Sequence, residues 1–522
     1  MSTPSSLLGE FENASAILAA IRRGDVSSRE VVESAIQRIE AVNSRINAVV
    51  VERFEAARRE ADEADRVPRE QRGILHGLPV TIKEMFDVKG MPTTAGIARR
   101  KTLRVSHDAV AVDRWRRAGA IVLGKTNVPQ LGMLIESVNP VYGRTKNPWR
   151  LDRSPGGSSG GEAAILAARA SLLGLGSDGA GSIRMPAHFC GIYGFKPTGG
   201  RITMRGHWLS KNWPDDWAQP GPMAHSVADL VLGTQAMLPD AMCEIGESPV
   251  PLDIDGLSNI RGLRVGMYEQ LDALPVAPTV RRAVRRAADC LENLGCQVVP
   301  FRPPSTNRIW DTYLSIFYAE GLRDMKRQMA GSRIEDGIRQ AFRMASVPRH
   351  VRAWVARIAK RTGQLRFGHL LENIARPVVS AQTYCDLLAA MHGYRGHFLA
   401  RLRRERLDAI LAPVAPIPAV LHGEFYANFA MMYTGIYNLL AMPAGVVPVT
   451  RVRSDEIPAE TVSRDVVDQS LERVNQGSTG LPVGVQIVAE RWQDVRVLAL
   501  MRALESEIAF SQRPALTADR EA

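Results

Sequence analysis

The most constraining feature of this chain is the segment 154–200, where glycine and serine are dense yet interleaved with alanine, leucine and isoleucine. A flexible linker does not carry that apolar content. The string GGSSGG at 156–161 directly precedes a predicted helix over Glu162–Ala170, so its serines lie at the positive end of that helix. We therefore expect this segment to pack around a site and not to serve as a spacer.

Short apolar runs alternate with helical patterns on both sides of this segment, which predicts an α/β fold. Residues 13–43 form two predicted helices, and the second begins with capping-box spacing between Ser27 and Glu30. Residues 107–127 combine a helix with a buried strand over Ala120–Leu123. Further buried strands are predicted at 76–88, 408–416, 441–450 and 480–489.

Changes in this pattern divide the chain into four predicted regions. Residues 1–75 form a helical region that packs on the core, and residues 76–240 contain the part of the core in which we expect the functional site. Residues 241–405 are mainly helical and arginine-rich, which predicts a cap inserted into the core, and residues 406–522 complete the core.

Composition excludes several classes of protein. The 522 residues are 45% hydrophobic and 23% charged, which indicates an ordered globular protein whose core can bury a titratable group. The net charge of +11 fits either a nucleic-acid, lipid or acidic-substrate partner or simply a solvated arginine-rich surface, and it does not decide between them. The five cysteines lack CxxC spacing, so neither a disulfide framework nor a metal site is predicted. Without a signal-like start or an 18-residue apolar run, a cytoplasmic location is expected.

Two serine-containing strings suggest nucleophilic chemistry. GGSSGG alone resembles an anion-binding loop, but no lysine follows it as the nucleotide-binding P-loop requires. In the second string, GSDGAGSIR at 176–184, small residues precede Ser182 and leave their backbone amides accessible. Amides that converge near a serine hydroxyl are what an acyl-transfer enzyme needs to stabilise an oxyanion.

A serine nucleophile also needs a base. None of the histidines at 107, 188, 207 and 225 has the sequence setting of a catalytic triad. Lys83, at the end of the apolar run LPVTIK, can serve as the base if burial lowers its pKa towards neutrality. The alternative is an ordinary lysine that points into solvent from the end of a strand.

Five long motifs in this order resemble the amidase-signature family: LPVTIKEMFDV, SPGGSSGG, GSDGAGSIRMPAHFCGIYGFKPT, GPMAHSVADL and GLPVGVQIVA. The resemblance runs from about residue 14 to residue 508. It implies a large central mixed β-sheet covered by helices on both faces, with a mainly helical cap. It also implies a triad in which Ser182 is the acyl nucleophile, Ser158, after a cis peptide bond, relays the proton, and Lys83 is the base, with no cofactor or metal.

The same resemblance assigns the backbone amides around the nucleophile. The implied oxyanion hole consists of Gly179, Ala180, Gly181 and Ser182. Ser159, Asp178 and Arg184 are implied as supporting polar residues. Ala180 departs from the family, which usually has glycine there, and an alanine would be strained if that position needed a positive φ.

Within the family, the chain most resembles the fatty-acid amide hydrolases, which implies hydrolysis of apolar acyl or aryl amides. Carbamate or ester hydrolysis on the same triad stays open, as does the A subunit of a tRNA-dependent amidotransferase. A non-catalytic binding protein is disfavoured because all three triad residues are present. The expected partner is a small amide substrate and not nucleic acid, and the chain is expected to be a monomer or a homodimer. Met-rich and aromatic stretches at 207–223 and 425–440 predict either pocket wall or ordinary core.

A basic amphipathic helix is predicted at 347–361. Its apolar stripe consists of Val347, Val351, Trp354, Val355 and Ile358, and its opposite face consists of Arg349, Arg352, Arg357 and Arg361. The stripe either packs onto the protein itself or contacts a lipid surface, as the cap of the related hydrolases does.

Overall fold

The computed structural model describes residues 7–208, 216–239, 243–244, 246–253, 259–271, 274–317, 319, 322–373, 380–457 and 463–517. Within these residues, the strands are β1 (Val49–Glu52), β2 (Pro79–Lys83), β3 (Ile121–Thr126), β4 (Val138–Asn139), β5 (Gly143–Arg144), β6 (Leu173–Asp178), β7 (Tyr193–Lys196), β8 (Gln219–Ala224), β9 (Arg264–Met267), β10 (Gln297–Pro300), β11 (Ala409–Pro413), β12 (Ala444–Arg451) and β13 (Pro482–Ala489).

The helices of the same residues fall into three groups along the chain. Those before β9 are α1 (Leu7–Glu10), α2 (Ala14–Arg23), α3 (Ser28–Ile46), α4 (Phe54–Ala64), α5 (Val110–Arg117), α6 (Gly160–Ala167), α7 (Arg184–Cys190) and α8 (Val227–Gln235). Those between β9 and β11 are α9 (Pro278–Asn293), α10 (Thr306–Phe317), α11 (Arg323–Gln328), α12 (Asp336–Ser346), α13 (Arg349–Arg361), α14 (Leu365–Asn373) and α15 (Ala381–Arg404). The last group is α16 (Met432–Leu439), α17 (Val466–Asn475) and α18 (Asp494–Ile508).

Eleven strands form one mixed sheet in the order β1-β3-β2-β6-β8-β7-β12-β13-β11-β9-β10. β2 is parallel to both β3 and β6, whereas β6 to β8 and β12 to β13 are antiparallel. All residues of β2, β6, β8 and β13 are buried, so helices cover both faces of the sheet centre. The predicted fold class is confirmed, and so are the strands that the apolar runs predicted.

The start of α3 also follows its sequence signal. The backbone N–H of Glu30 donates to Ser27 Oγ at 3.1 Å, and the backbone N–H of Ser27 donates to the Glu30 carboxylate at 2.8 Å. These reciprocal bonds satisfy two amides that a helix start otherwise leaves without partners. The face of α3 that carries the apolar repeat is buried against the rest of the core. The predicted packing of the N-terminal region on the core rests on that face.

The region assigned to the cap needs a correction at its N-terminal end. β9 and β10 lie within 241–405, yet they are strands of the central sheet, and β9 pairs in parallel with β11. Each strand has only four residues, and β10 is half exposed at the sheet edge, so neither shows a long apolar run. The helical layer therefore begins after β10 and comprises α10 to α15.

The helical layer has a small hydrophobic cluster of its own. This cluster contains Met325 of α11, Met329 just after it, and Ile338 and Phe342 of α12, together with Leu131 from the segment after β3. This cluster is separate from the large core around the sheet. Residues of both cores line one cavity: Leu131 and Met325 from this cluster and Trp310 from the large core.

The apolar stripe of α13 faces solvent. Trp354 is 61% exposed, and Val351 and Ile358 are also exposed, as is Leu365 at the start of α14. Arg352, which the sequence places on the polar face, is only 4% exposed. Val351, Trp354 and Ile358 therefore do not pack onto the protein's own core, as one of the two predicted alternatives requires. Val347 and Val355 are half-buried, and the side chain of Arg349 lies outside the described residues.

Candidate active site

β2 carries Lys83 into the centre of the protein. The side chain is 0% exposed, and its Nζ lies 2.6 Å from Ser158 Oγ and 3.2 Å from the backbone oxygen of Ser177. Burial lowers the pKa of Lys83 to about 7 against the opposing attraction of Asp178 and Glu162. The solvent-facing alternative for this lysine is therefore wrong, and a large neutral fraction exists at physiological pH.

Ser158 lies in the turn that leads into α6, and the peptide bond Gly157–Ser158 is cis. A Cβ on Gly157 would lie 2.3 Å from the backbone oxygen of Leu134, so only glycine fits there. Ser159 lies beside Ser158, and its backbone N–H donates to the Ser182 backbone oxygen at 3.1 Å. Its hydroxyl donates to the Ser177 oxygen at 3.2 Å. Ser159 thus links the turn that contains Ser158 to β6 and to the loop that carries Ser182.

The loop from Gly179 to Ser182 is held by bonds to its carbonyl oxygens. Tyr313 donates its hydroxyl to the Gly179 oxygen at 2.9 Å, and Thr434 donates to the Ala180 oxygen at 2.7 Å. Gly181 has φ of 114°, and a Cβ there would lie 2.1 Å from Thr434 Oγ1. With its carbonyl groups fixed in this way, the loop presents its amides in one orientation.

The predicted set of four oxyanion-hole amides needs a correction. The Gly181 N–H donates to Asp178 Oδ1 at 2.7 Å, which commits that amide to a buried carboxylate. Gly179, Ala180 and Ser182 are left as candidate donors, and all three line the same cavity. Ala180 does not have a positive φ, so the alanine causes no backbone strain.

Asp178 and Arg184 form a fully buried ion pair behind this loop. Arg184 donates from Nη2 to Asp178 Oδ1 at 2.9 Å and from Nε to Oδ2 at 3.0 Å. Burial alone would raise the pKa of the Asp178 carboxyl, but Arg184 holds it well below its usual range. Neither side chain lines the cavity. The implied supporting role is consistent with this position, since the pair fixes the loop from behind.

The cavity contains Ser158 and Ser182 and is otherwise mainly apolar. Its wall includes Met85, Leu131, Met133, Trp208, Trp310, Leu314, Phe317, Met325 and Met431. The predicted pocket stretches contribute His207, Trp208 and Ala218 on one side and Met431 on the other. Residues 209–215 of the first stretch lie outside the described residues.

The histidines take no part in a triad with Ser182 in the described structure. His188 is buried between the backbone of Gly484 and that of Ile417. His207 lines the cavity with its Nε2 2.9 Å from Ser177 Oγ, and burial, followed by the nearby Lys83 and Lys125, lowers its pKa well below the usual value. His207 is therefore neutral at pH 7.

Several residues at this site escape motif analysis. Tyr313 reaches the loop from α10, where its ring stacks on Trp310 and Trp217 at centroid distances of 5.1 and 4.7 Å. Thr434 comes from α16, more than 250 residues away in sequence. No local pattern marks either residue, because each acts through a contact that only the fold creates.

Comparison with known proteins identifies the class to which this fold and site belong. The family model described as Amidase matches residues 30–498, and the chain belongs to this family of amidase-signature enzymes, hydrolases that act on amide C–N bonds. The chain is 33% identical to fatty-acid amide hydrolase 1 of Sus scrofa, with 95% of this chain and 86% of that protein covered. It is 32% identical to the A subunit of the glutamyl-tRNA(Gln) amidotransferase of Acidobacterium capsulatum, over 95% and 99% of the two chains.

Solved structures agree on the fold. A fatty acid amide hydrolase matches with a TM-score of 0.82 at 23% identity, over 97% of this chain and 87% of that one. A 6-aminohexanoate cyclic dimer hydrolase complexed with substrate matches with a TM-score of 0.76 at 26% identity, over 97% and 99%. Within the described part of the chain, no helix is long and apolar enough to cross a bilayer.

Proposed function

We propose that the protein hydrolyses apolar acyl or aryl amides through an acyl-enzyme on Ser182. The observation that carries this proposal is the 2.6 Å contact between the buried Lys83 and Ser158, which lines a mainly apolar cavity together with Ser182. The similarity to fatty-acid amide hydrolase 1 supports the choice of substrate class.

The proposed reaction begins with attack of Ser182 Oγ on the substrate carbonyl. As the C–O bond forms, the Ser182 proton passes to Ser158 Oγ and the Ser158 proton passes to neutral Lys83. The carbonyl electron pair moves to oxygen, where the amides of the loop stabilise it. The same relay then returns a proton to the leaving nitrogen as the C–N bond breaks, and water hydrolyses the resulting ester.

The decisive experiment compares purified wild type with Ser182→Ala on anilides, fatty amides, carbamates and esters of graded chain length. We expect turnover of the apolar amides and its complete loss in the variant, with unchanged thermal unfolding. Mass spectrometry should locate a fluorophosphonate adduct on Ser182. Unchanged turnover by Ser182→Ala would overturn the mechanism, and preferential turnover of carbamates or esters would replace the substrate class.

A second candidate is the A subunit of a tRNA-dependent amidotransferase, since a protein of that kind is similar over 99% of its length. That role requires glutamine as ammonia donor and further protein partners. Glutaminase activity that appears only after those partners are added would favour this candidate. Efficient turnover of an apolar amide by the isolated chain would favour the hydrolase.

The exposed stripe of α13 and α14 supports contact with a lipid surface. Trp354 and Ile358 are 61% and 41% exposed on the arginine-rich α13, and Leu365 is 57% exposed at the start of α14. Exposed apolar side chains beside arginines suit the interface of an anionic membrane. Co-sedimentation with liposomes containing anionic lipid should pellet the wild type and leave Trp354→Asp in the supernatant. Trp354→Phe is the matched control, and equal pelleting of wild type and Trp354→Asp would reject the contact.

A further inference from the structure

Glu162 is a fully buried carboxylate in the first turn of α6. The Thr81 hydroxyl donates to its Oε1, and the Thr126 hydroxyl donates to its Oε2 at 2.8 Å. Within the described residues, these hydroxyls are its hydrogen-bond donors, and it forms no ion pair at contact distance. A buried carboxylate without a paired cation is uncommon, because buried charges are normally paired. We therefore expect a group nearby that becomes positively charged.

The geometry of the sheet places Lys83 next to this carboxylate. Thr81 and Lys83 are two residues apart on β2, so their side chains leave the same face of the sheet about 7 Å apart along the strand. Thr126 is the register partner of Lys83 on the neighbouring β3. Because Glu162 is bonded to both threonines, its carboxylate lies beside Lys83 on that face.

The other charged or titratable groups around Lys83 are already accounted for. Asp178, from the end of β6, also attracts Lys83, but its two contacts with Arg184 give it a cation of its own. His207, from the segment that pairs with Phe86, is neutral because burial and the nearby lysines depress its pKa. Glu162 is therefore the carboxylate near Lys83 that has no cation of its own.

We propose that Glu162 is a positioning residue that stabilises the protonated form of Lys83 while Ser182 is acylated. This inference rests on the proposed function. When the Ser182 proton moves to Ser158 and the Ser158 proton moves to Lys83, the lysine becomes a buried ammonium. A carboxylate fixed by two threonines attracts that charge without reorienting, and it makes Lys83 a stronger base than burial alone allows.

The pKa values of the two groups both contain their mutual attraction. Burial raises the pKa of Glu162 to about 7, against the hydrogen bonds from Thr81 and Thr126 and the attraction of Lys83. Burial lowers the pKa of Lys83 to about 7. The two groups therefore titrate as a coupled pair over the range in which the enzyme is expected to work.

The test is the pH profile of Ser182 labelling by a fluorophosphonate in Glu162→Gln, which keeps the size of the side chain and removes its charge. Without the anion, protonated Lys83 is less stable, so the midpoint of the acid limb should move to lower pH. At an effective dielectric near 20, a unit charge on the order of 5–10 Å from Nζ corresponds to a shift of about one to two pH units. Because a weaker base accepts the proton less readily, the plateau rate should also fall.

A second variant and a distant control separate this role from general destabilisation. Thr126→Val removes one donor from the ionised Glu162 and should shift the midpoint in the same direction by a smaller amount. Glu505→Gln makes the same chemical change at a largely buried carboxyl on α18, outside the cavity, and should leave the profile unchanged.

A Glu162→Gln enzyme that folds with the wild-type midpoint, or with a midpoint at higher pH, would overturn the inference. If Glu162→Gln does not fold, an unchanged midpoint in Thr126→Val overturns it. Lys83→Met distinguishes a failure of the proposed mechanism from a failure of the proposed role of Glu162. If Lys83→Met labels as fast as the wild type, the proposed mechanism fails, whereas an inactive Lys83→Met with an unshifted Glu162→Gln refutes only the role of Glu162.

Discussion

The strongest quantitative prediction concerns the protonation of Lys83. Its pKa falls from 10.5 to about 7, which corresponds to about 5 kcal/mol of differential stabilisation between the two protonation states. At pH 7 an ordinary lysine is neutral about once in 3,000 molecules, whereas Lys83 is neutral in about half. Burial thus raises the concentration of the active base by roughly three orders of magnitude.

The assay is the second-order rate constant for fluorophosphonate labelling of Ser182 between pH 5 and 9, because it does not require the natural substrate. Only neutral Lys83 accepts the proton, so the rate should rise about tenfold per pH unit below 7 and level off above it. The total change should be about 100-fold. His207 cannot produce this rise, since its pKa lies well below 6.5.

Two variants establish which group is responsible. Lys83→Met should label slowly at every pH in this range and lose the midpoint near 7, whereas Ser182→Ala should not label at all. A wild-type profile that is flat from pH 5 to 9 would refute the reasoning, as would a midpoint that persists in Lys83→Met.

Three further substitutions test the loop that presents the amides. Gly181→Ala should abolish labelling and destabilise the protein by about 1–2 kcal/mol or more, because φ of 114° and the 2.1 Å approach to Thr434 both exclude a Cβ; normal labelling would contradict this. Tyr313→Phe removes the bond to the Gly179 oxygen and should lower kcat severalfold with little change in KM, for a bond worth about 1 kcal/mol; a change confined to KM would argue instead for substrate contact. Arg184→Met leaves a buried carboxylate unpaired and should cost about 3–5 kcal/mol, visible as a large drop in Tm, while an unchanged Tm would contradict the assigned role.

The sequence predicted the central features of the fold because burial leaves a strong pattern. The apolar run that ends at Lys83 became a fully buried strand, and the capping box at Ser27 begins a helix as expected. β9 and β10 were missed because a four-residue strand near a sheet edge shows no long apolar run. The outward direction of α13 was also undetermined, since periodicity shows that a helix has two faces but not which one the fold covers.

For the candidate site, sequence motifs located the residues that lie within a recognisable string, but not the residues that support them from elsewhere in the chain. Ser158 and Ser182 stand in recognisable strings, whereas Thr434 and Tyr313 reach the loop from distant helices. The hydrogen bond from the Gly181 amide to Asp178 likewise depends on a turn that forms only in the folded chain. The importance of Glu162 depends on strand register, because its link to Lys83 runs through two different strands.

Because of the separate hydrophobic cluster of the helical layer, a ligand in the cavity should change the stability of α11 and α12. Leu131 and Met325 belong to that cluster and also form part of the cavity wall, so a bound acyl chain would contact the layer directly. By linkage, a ligand that adds contacts there stabilises the packed state of α11 and α12 against local unfolding. Amide hydrogen exchange in these two helices should therefore slow when Ser182 carries a long-chain acyl mimic, and should slow less with a short one.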